Sequence, residues 1–230
     1  KLSYHSKSTF IAISEAVYSE WIRAGLPASK ISIVHNSLDK INKNRVKGDL
    51  HSSTHNGKTL ILFVGRLKKR KGAHILIDAL SRIKQNNWHL SIVGTGPELE
   101  NLKRSVAEKK LEEKVTFYGF QEDVDRFYKS HDILVVPSLN EPFGRVVIEA
   151  MYHGLTVIGS DKGGIPEIIE DGKDGILFQT GDPESLASSL KTIMRDTEKR
   201  TSIGLRSRAK IRGFFTEDCF CRDLLQLYDR

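Results

Sequence analysis

Cysteine is nearly absent from this sequence of 230 residues, which contains only Cys219 and Cys221. Two thiols without a second group of ligands cannot complete a zinc site, and their C-x-C spacing differs from the C-x-x-C of redox pairs. We therefore expect two reduced cysteines with a structural role in a cytoplasmic protein.

Long apolar runs are also missing. No stretch approaches the roughly 20 apolar residues that cross a bilayer, and neither a signal peptide nor a transmembrane helix is visible. The length of 230 residues is enough for one α/β domain and part of another. Because the chain starts at Lys1 and not at methionine, we expect that further sequence precedes it.

The formal net charge of +7 would suit an anionic ligand, an acidic membrane surface or nucleic acid. The basic residues are spread along the whole chain, and no motif that combines aromatic and basic residues accompanies them. We expect a solvated basic surface and no nucleic-acid partner. Peripheral attachment to the inner face of a membrane through this surface stays open.

Short apolar runs that alternate with crossover segments predict a parallel sheet and an α/β fold, Rossmann-like and doubly wound. The predicted strands are 60–64, 88–93, 115–118, 133–136, 156–158 and 175–178. Right-handed crossovers place the loops after these strands at one edge, where such folds bind ligands. From Pro183 onward the apolar spacing predicts only helices.

A smaller unit precedes this sheet. The sequence predicts strands at 9–14 and 31–34, and Ser14 can cap a helix between them that ends at Gly25. The polar stretch that follows has no apolar period and predicts an interdomain linker at 41–58.

The most informative region is 137–167, PSLNEPFGRVVIEAMYHGLTVIGSDKGGIPE. After a buried strand, Asn140-Glu141-Pro142 predicts the start of a helix with Pro142 in its first turn. A helix start favours an anion, and Gly144 lets a ligand approach the backbone. The amides expected at this anion site belong to Phe143, Gly144, Arg145 and Val146.

Two carboxylates flank the predicted helix start. Glu141 and Glu149 would lie about 12 Å apart along the chain if the whole interval were helical. That exceeds the roughly 5 to 9.5 Å between the acid and base carboxylates of glycoside hydrolases. Two acceptors for the hydroxyls of one elongated ligand fit the spacing better.

These residues carry a resemblance. The region resembles the E-x7-E signature and the following Gly-Gly loop of family 4 retaining glycosyltransferases. The matching residues are Glu141 and Glu149, then Ala150-Met151 and Gly154, and then Gly163-Gly164-Ile-Pro-Glu167. Those enzymes have the two-domain GT-B fold. The resemblance implies that 1–40 ends the N-terminal acceptor domain, that 59–212 is the C-terminal donor-binding half, and that a helix at 213–230 crosses back.

A cationic loop follows the first strand of the large sheet. By themselves, Arg66 and Lys71 could neutralise a diphosphate or belong to a solvated basic loop. The G-R-L-x3-K-G form, which starts at Gly65, resembles the phosphate-binding loop of the family and favours the first alternative. We expect Lys68, Lys69 and Arg70 to be surface charges.

Other turns are less specific. Gly94-Thr95-Gly96-Pro97-Glu98 resembles the family's G-x-G-P-E turn, and we expect it to shape the rim of the cleft, because Leu99 leaves the dinucleotide fingerprint incomplete. Gly119-Phe120 is either a base contact or a plain strand-to-helix turn. Gly163-Gly164 is either a close approach to the ligand or a tight turn, and we favour the former.

No metal site is expected. Asp123-Val124-Asp125 has the D-x-D form of another glycosyltransferase fold, but its predicted place at a helix start suits acidic residues without a metal. The histidines, including His74 and His153, show no ligand spacing. We expect neither a metal nor a cofactor.

The resemblance implies a nucleotide-sugar donor, with UDP expected from the frequency of donors in the family. Glu149 would bind the ribose, Arg66 and Lys71 the diphosphate, the helix end at Gly144 the distal phosphate, and Glu141 the sugar. The sugar would pass with retention to a glycan or lipid-linked acceptor held by an N-terminal domain, so we expect this fragment alone to bind donor without transfer. The alternatives are a non-catalytic nucleotide-sugar-binding domain and an epimerase of the same fold; a dehydrogenase fits less well.

Overall fold

A small βαβ unit precedes a large α/β domain in the computed structural model, which describes residues 8–38 and 57–228. The small unit consists of β1 (Phe10–Ala12), α1 (Glu15–Arg23) and β2 (Ile31–Ile33). The two strands pair in parallel, and the hydroxyl of Ser14 caps α1 by accepting from the Val17 N–H at 3.1 Å. Both predicted strands and the helix cap are confirmed, although the strands are shorter than predicted. The predicted linker lies outside the described residues, except for its last two positions.

Six parallel strands form the sheet of the large domain. They are β3 (Thr59–Val64), β4 (Trp88–Val93), β5 (Val115–Gly119), β6 (Ile133–Val136), β7 (Thr156–Ser160) and β8 (Ile176–Phe178). Their order is β5-β4-β3-β6-β7-β8, so β3 and β6 are neighbours at the centre. This is the doubly wound order, and the point between β3 and β6 where the winding reverses is where such sheets bind ligands. The predicted fold class and all six predicted strands are confirmed.

Helices cover both faces of this sheet. They are α2 (Ala73–Ser81), α3 (Leu99–Glu108), α4 (Asp125–Ser130), α5 (Arg145–His153), α6 (Ile165–Ile168), α7 (Pro183–Arg195), α8 (Thr197–Phe214) and α9 (Glu217–Tyr228). Alternate side chains of β3 enter opposite cores: Ile61 and Phe63 pack with α2, α3 and α7, whereas Leu62 packs with α4, α5 and α6. Burial on both faces explains the nearly continuous apolar runs of the central strands β3, β6 and β7.

The start of α5 differs from the prediction. The helix begins at Arg145, and Gly144 precedes it in a left-handed conformation with φ +109°. Pro142 is therefore not in the first turn, and the helical estimate of the Glu141–Glu149 spacing does not apply. The reason is a long-range contact: the Glu141 carbonyl, which a helix starting at Pro142 would use, accepts from the Gly164 N–H at 2.7 Å.

The end of the chain also differs from the predicted boundaries. The last helix, predicted from 213, begins at Glu217, because α8 continues to Phe214. The segment between the two helices contacts the residues that follow β2, since the Leu38 N–H donates to the Phe215 carbonyl at 3.1 Å. Within 8–38 and 57–228, no helix has the length and apolar character needed to span a membrane.

Candidate functional site

The loops after β3 and β6 meet at the carboxyl edge of the sheet. The Leu139 N–H donates to the Arg70 carbonyl at 2.9 Å, which joins the two loops through their backbones. Gly72 has φ +73°, and a Cβ there would lie 1.8 Å from the Pro137 carbonyl oxygen. Only glycine permits this approach, so the sequence fixes how closely the loops pack at the point where the winding reverses.

The two loops bring Lys71 and Glu141 into direct contact. Lys71 Nζ lies 2.5 Å from Glu141 Oε2, and the two side chains are only 21% and 11% exposed. The Ser138 hydroxyl donates to the same Oε2 at 3.0 Å. Lys71 and Glu141 were predicted to contact different parts of a ligand, and the structure joins them in one largely buried ion pair.

Arg66 lies on the same loop but in a different environment. It is exposed, and within the described part of the chain its side chain has no hydrogen bond or ion pair. The turn after β4 packs against this loop. A Cβ at Gly94 would lie 2.0 Å from the Gly65 carbonyl oxygen, and a Cβ at Gly96 would lie 2.4 Å from the Leu67 carbonyl oxygen. These close approaches agree with the rim-shaping role predicted for the turn. Because the Arg66 side chain is exposed, its guanidinium is available to an anion.

Glu149 lies on α5, and its carboxylate accepts hydrogen bonds from two side chains. The Tyr128 hydroxyl donates to Oε2 at 2.9 Å, and the Arg145 guanidinium Nε donates to Oε1 at 3.2 Å. Burial raises the pKa of Glu149, and the two hydrogen bonds and the Arg145 charge oppose that rise. The pKa of Tyr128 lies well above its ordinary value because of burial and the Glu149 charge, so the phenol stays protonated as a donor.

The N-terminal end of α5 supplies backbone amides. In an α-helix, the first N–H groups have no intrahelical acceptor, and the helix dipole makes this end positive. Phe143 is buried just before the helix, and Val146 is partly buried in its first turn. Gly144 is itself buried, and a Cβ there would lie 3.2 Å from a methyl carbon of Val147. The amides and the helix dipole therefore give this end the character expected of an anion site, and a close approach of a ligand to Gly144 stays a prediction.

Gly163 and Gly164 are explained by packing. A Cβ at Gly163 would lie 2.3 Å from the Glu141 carbonyl oxygen, and one at Gly164 would lie 2.6 Å from that of Pro142. The loop after β7 thus supports the loop that holds Glu141, and both glycines are needed for that contact. Their direct contact with a ligand stays a prediction.

The remaining predicted positions lie around this edge or at helix starts. Phe120 follows β5 and is 70% exposed, so its ring is available for contact, and its role at the base stays a prediction. Asp125 is the first residue of α4, as expected for a helix start. Across 8–38 and 57–228, no group of three or more His, Cys, Asp or Glu residues could hold a metal ion. Both cysteines are free thiols in α9.

Ser138 and Tyr128 also belong to this site, and neither was predicted from the sequence. Both are buried, at 1% exposure, and both donate to one of the two glutamates. Tyr128 occupies the apolar face of α4 and gives no sign in the sequence that its hydroxyl has a partner. Pro137 and Ser138 follow β6. The one feature of the sequence that pointed to a contact between Ser138 and Glu141 is their separation of three residues.

The comparisons with known proteins agree with this geometry. The model of the family described as "Glycosyl transferases group 1" matches residues 49–210. The chain belongs to this family. The predicted glycosyltransferase resemblance is therefore confirmed at the level of the group 1 family and its GT-B fold.

Two relatives illustrate the similarity of this group 1 chain. It is 36% identical over 186 residues to spore coat protein SA of Bacillus subtilis, which covers 76% of this chain and 49% of the relative. It is 30% identical over 231 residues to the amylovoran biosynthesis glycosyltransferase AmsK of Erwinia amylovora, which covers 96% of this chain and 56% of the relative. The chain spans about half the length of these relatives.

Solved structures support the same assignment. The crystal structure of Anabaena HepE in complex with UDP-glucose superimposes with a TM-score of 0.85 at 27% identity, covering 97% of this chain and 64% of HepE. Sucrose-phosphate synthase from Thermosynechococcus elongatus gives a TM-score of 0.81 at 26% identity, covering 95% of this chain and 57% of that protein.

Proposed function

We propose that this chain is the donor-binding part of a family 4 retaining glycosyltransferase that uses a UDP-sugar. One observation carries the proposal: Lys71 and Glu141 pair at 2.5 Å where the winding of the sheet reverses, and the loop that carries Lys71 also carries the exposed Arg66. Cations suit a diphosphate and carboxylates suit sugar hydroxyls, so one extended ligand would use both. The complex of HepE with UDP-glucose supports the choice of UDP.

Each predicted residue has a role in this proposal. Arg66 and Lys71 bind the diphosphate, and the amides at the start of α5 receive the distal phosphate. Glu149 accepts from the ribose hydroxyls, and Glu141 accepts from hydroxyls of the transferred sugar. The positions proposed to line the rest of the donor site are Gly65, Phe120, Phe143, Gly144, Arg145, Val146, Gly163 and Gly164.

The Lys71–Glu141 ion pair refines this assignment. An ammonium group has three N–H donors, and Glu141 takes one of them at 2.5 Å. The diphosphate would therefore join an existing ion pair, and Lys71 would link the leaving phosphate to the carboxylate that holds the sugar. The pair fixes the ammonium in place before the donor arrives, which reduces the entropy lost on binding.

The proposed reaction transfers the sugar with retention at the anomeric carbon. The bond from that carbon to the diphosphate breaks, and an acceptor hydroxyl attacks the same face. Negative charge grows on the departing diphosphate, so Arg66, Lys71 and the amides of α5 stabilise the transition state more than the ground state. No metal is needed for this stabilisation.

The acceptor is proposed to be a glycan or lipid-linked saccharide. The role of AmsK in amylovoran biosynthesis, as its name states, supports a polysaccharide acceptor. We further propose that the 230 residues bind donor without transferring sugar, because half of the active site and the acceptor site come from a second domain. We also propose that the basic surface contacts a membrane peripherally.

Calorimetry tests this function directly. The chain is titrated with UDP, GDP and ADP and with UDP-glucose, and the expected result is saturable binding with a preference for the uridine ligands. Arg66→Ala should weaken that binding. Absence of binding by all four ligands, or equal binding by Arg66→Ala, would contradict the assignment.

Product analysis tests the reaction. The intact enzyme, given UDP-sugar and an acceptor, should release UDP and form a glycoside with the anomeric configuration of the donor. An isomerised nucleotide sugar would show an epimerase instead, and donor binding without UDP release would show a binding protein. Sugar transfer by the 230 residues alone would contradict the proposed dependence on a second domain.

A further inference from the structure

Tyr128 has a buried hydroxyl directed at the carboxylate proposed to bind ribose. The residue is 1% exposed, and its hydroxyl donates to Glu149 Oε2 at 2.9 Å. Burying a hydroxyl is unfavourable unless it has a partner. A phenylalanine would fill nearly the same space without that requirement, so packing alone does not explain the tyrosine.

The ring of Tyr128 is itself held in place. It stacks on the ring of His153 with centroids 5.6 Å apart and an angle of 19° between planes. His153 Nε2 lies 3.4 Å from a carboxylate oxygen of Asp125 at the start of α4. The stacked pair joins α4 to α5, so the hydroxyl reaches Glu149 from a fixed direction.

The second holder of Glu149 is less rigid. Arg145 contacts Oε1 at 3.2 Å, but its side chain is 55% exposed, and an exposed ion pair of this kind contributes little. Tyr128 is therefore the stronger constraint on the carboxylate. Each carboxylate oxygen can accept more than one hydrogen bond, so the bond to Tyr128 leaves room for a hydroxyl of the ligand.

We propose that Tyr128 is a positioning residue, which fixes the Glu149 carboxylate in the orientation that receives the ribose hydroxyls of the donor. This inference rests on the proposed role of Glu149. A glutamate has several rotatable bonds, and ordering it before the ligand arrives reduces the entropy lost on binding. The effect should appear only with ligands that carry the ribose hydroxyls.

The test compares two ligands and two variants by calorimetry. Tyr128→Phe should bind UDP about tenfold more weakly than the unmodified chain, the lower end of what a hydrogen bond to a charged group contributes. Its affinity for 2′,3′-dideoxy-UDP, which lacks both hydroxyls, should be unchanged within about twofold. Tyr152→Phe is the matched control, because Tyr152 is also buried and the centroid of its ring lies 5.6 Å from that of His153. This variant should bind both ligands with the affinity of the unmodified chain.

The outcomes separate this inference from the proposed function. If the unmodified chain does not bind UDP, the proposed function fails. If it binds UDP but Tyr128→Phe loses the same factor with both ligands, or loses nothing, the positioning role is overturned and Tyr128 is structural.

A second variant keeps the test decisive if Tyr128→Phe does not fold. His153→Leu removes the ring on which Tyr128 stacks but keeps the Tyr128 hydroxyl, so the hydroxyl should orient Glu149 less well. The preference for UDP over 2′,3′-dideoxy-UDP should then fall by about threefold or more, because less of the carboxylate is ordered before the ligand binds. An unchanged preference, or an equal loss of affinity for both ligands, would overturn the inference.

Discussion

Glu141 and Glu149 belong to one candidate site, but the protein holds their charges in opposite ways. Glu141 is paired with the Lys71 ammonium at 2.5 Å, and its side chain is 11% exposed. Glu149 is 29% exposed and has a neutral phenol and an exposed guanidinium as partners, and burial raises its pKa. Glu141 thus shares a largely buried ion pair, whereas the two hydrogen bonds of Glu149 do not cancel the effect of burial on its pKa.

This difference in partners gives the two glutamates different roles: Glu141 stabilises the loops, whereas Glu149 is available to a ligand. A ligand at Glu141 must join an ion pair that already supports the two central loops. A ligand hydroxyl at Glu149 would add a further hydrogen-bond donor, and this bond would offset part of the cost of burying that carboxylate. Mutations at the two ends should therefore have different effects on folding and on binding.

The largest effect is expected at Lys71. Lys71→Met keeps the apolar stem but leaves the Glu141 carboxylate without its cation, and breaking a buried pair from one side costs about 3 kcal/mol or more of the free energy of unfolding. Urea unfolding at neutral pH measures this loss. The intact enzyme carrying Lys71→Met should also lose most of its turnover, by about 10² to 10³.

Two further variants sharpen this experiment. Lys69→Met removes an exposed charge from the same loop and should change stability by less than about 0.5 kcal/mol. The double variant Lys71→Met/Glu141→Gln should regain part of the lost stability, because it also removes the unpaired charge. A Lys71→Met variant as stable as Lys69→Met would show that the ion pair does not support the loops.

Arg66 should show the opposite pattern to Lys71. Its side chain is exposed and without a partner in the described regions, so Arg66→Ala should unfold within about 0.5 kcal/mol of the unmodified chain. Its affinity for UDP should fall between about 10-fold and 100-fold, because hydrogen bonds to charged groups contribute about 1.5 to 3 kcal/mol. Arg70→Ala, on the same loop, should change neither quantity, and equal losses of affinity in the two variants would reduce Arg66 to general surface charge.

Much of this comparison was within reach of the sequence. The apolar runs predicted all six strands, most clearly β3, β6 and β7, which are buried on both faces. The resemblance of the segments around Arg66, Lys71, Glu141 and Glu149 to family motifs indicated the site. The order of the strands placed the loops after β3 and β6 side by side, and sequence alone does not state that order. Contacts between Lys71 and Glu141, which are 70 positions apart, therefore could not be predicted.

The start of α5 shows the same limit at short range. Pro142 favours the first turn of a helix, and the local pattern supported that prediction. The structure instead uses the Glu141 carbonyl to accept from Gly164, 23 positions later in the chain, at 2.7 Å. A tertiary contact thus overrides a local preference, and the partnership of Tyr128 with Glu149 depends on packing between helices in the same way.

A smaller and opposite effect is expected at Glu149. Its raised pKa means that the folded chain binds this proton more tightly than the unfolded chain. The stability that this tighter proton binding adds is complete below the ordinary glutamate pKa of about 4.3. It is lost as the pH rises through the pKa of Glu149 in the folded chain. Glu149→Gln should therefore be more stable than the unmodified chain at pH 8, by about 1 to 3 °C in Tm.

The pH dependence makes this prediction specific. The Tm difference between Glu149→Gln and the unmodified chain should disappear as the pH approaches 4, about where the unfolded carboxyl also becomes protonated. The variant should bind UDP more weakly at pH 8, although it is more stable. A variant less stable than the unmodified chain at pH 8 would show that the partners of Glu149 already balance its charge, which would remove the contrast with Glu141.

The smallest effect is expected at Ser138, whose buried hydroxyl donates to Glu141 Oε2 at 3.0 Å. Ser138→Ala removes one neutral donor but leaves the ammonium of Lys71 in place, so it should cost about 1 kcal/mol in urea unfolding. UDP affinity should stay within about twofold, because the cations are intact. Ser160→Ala is the matched control, since its hydroxyl donates to the backbone carbonyl of Ser138 at 2.7 Å and not to Glu141. If Ser138→Ala cost as much as Lys71→Met, the neutral hydroxyl would stabilise Glu141 as strongly as the cation does, and the contrast with Glu149, which Tyr128 holds through a neutral hydroxyl, would disappear.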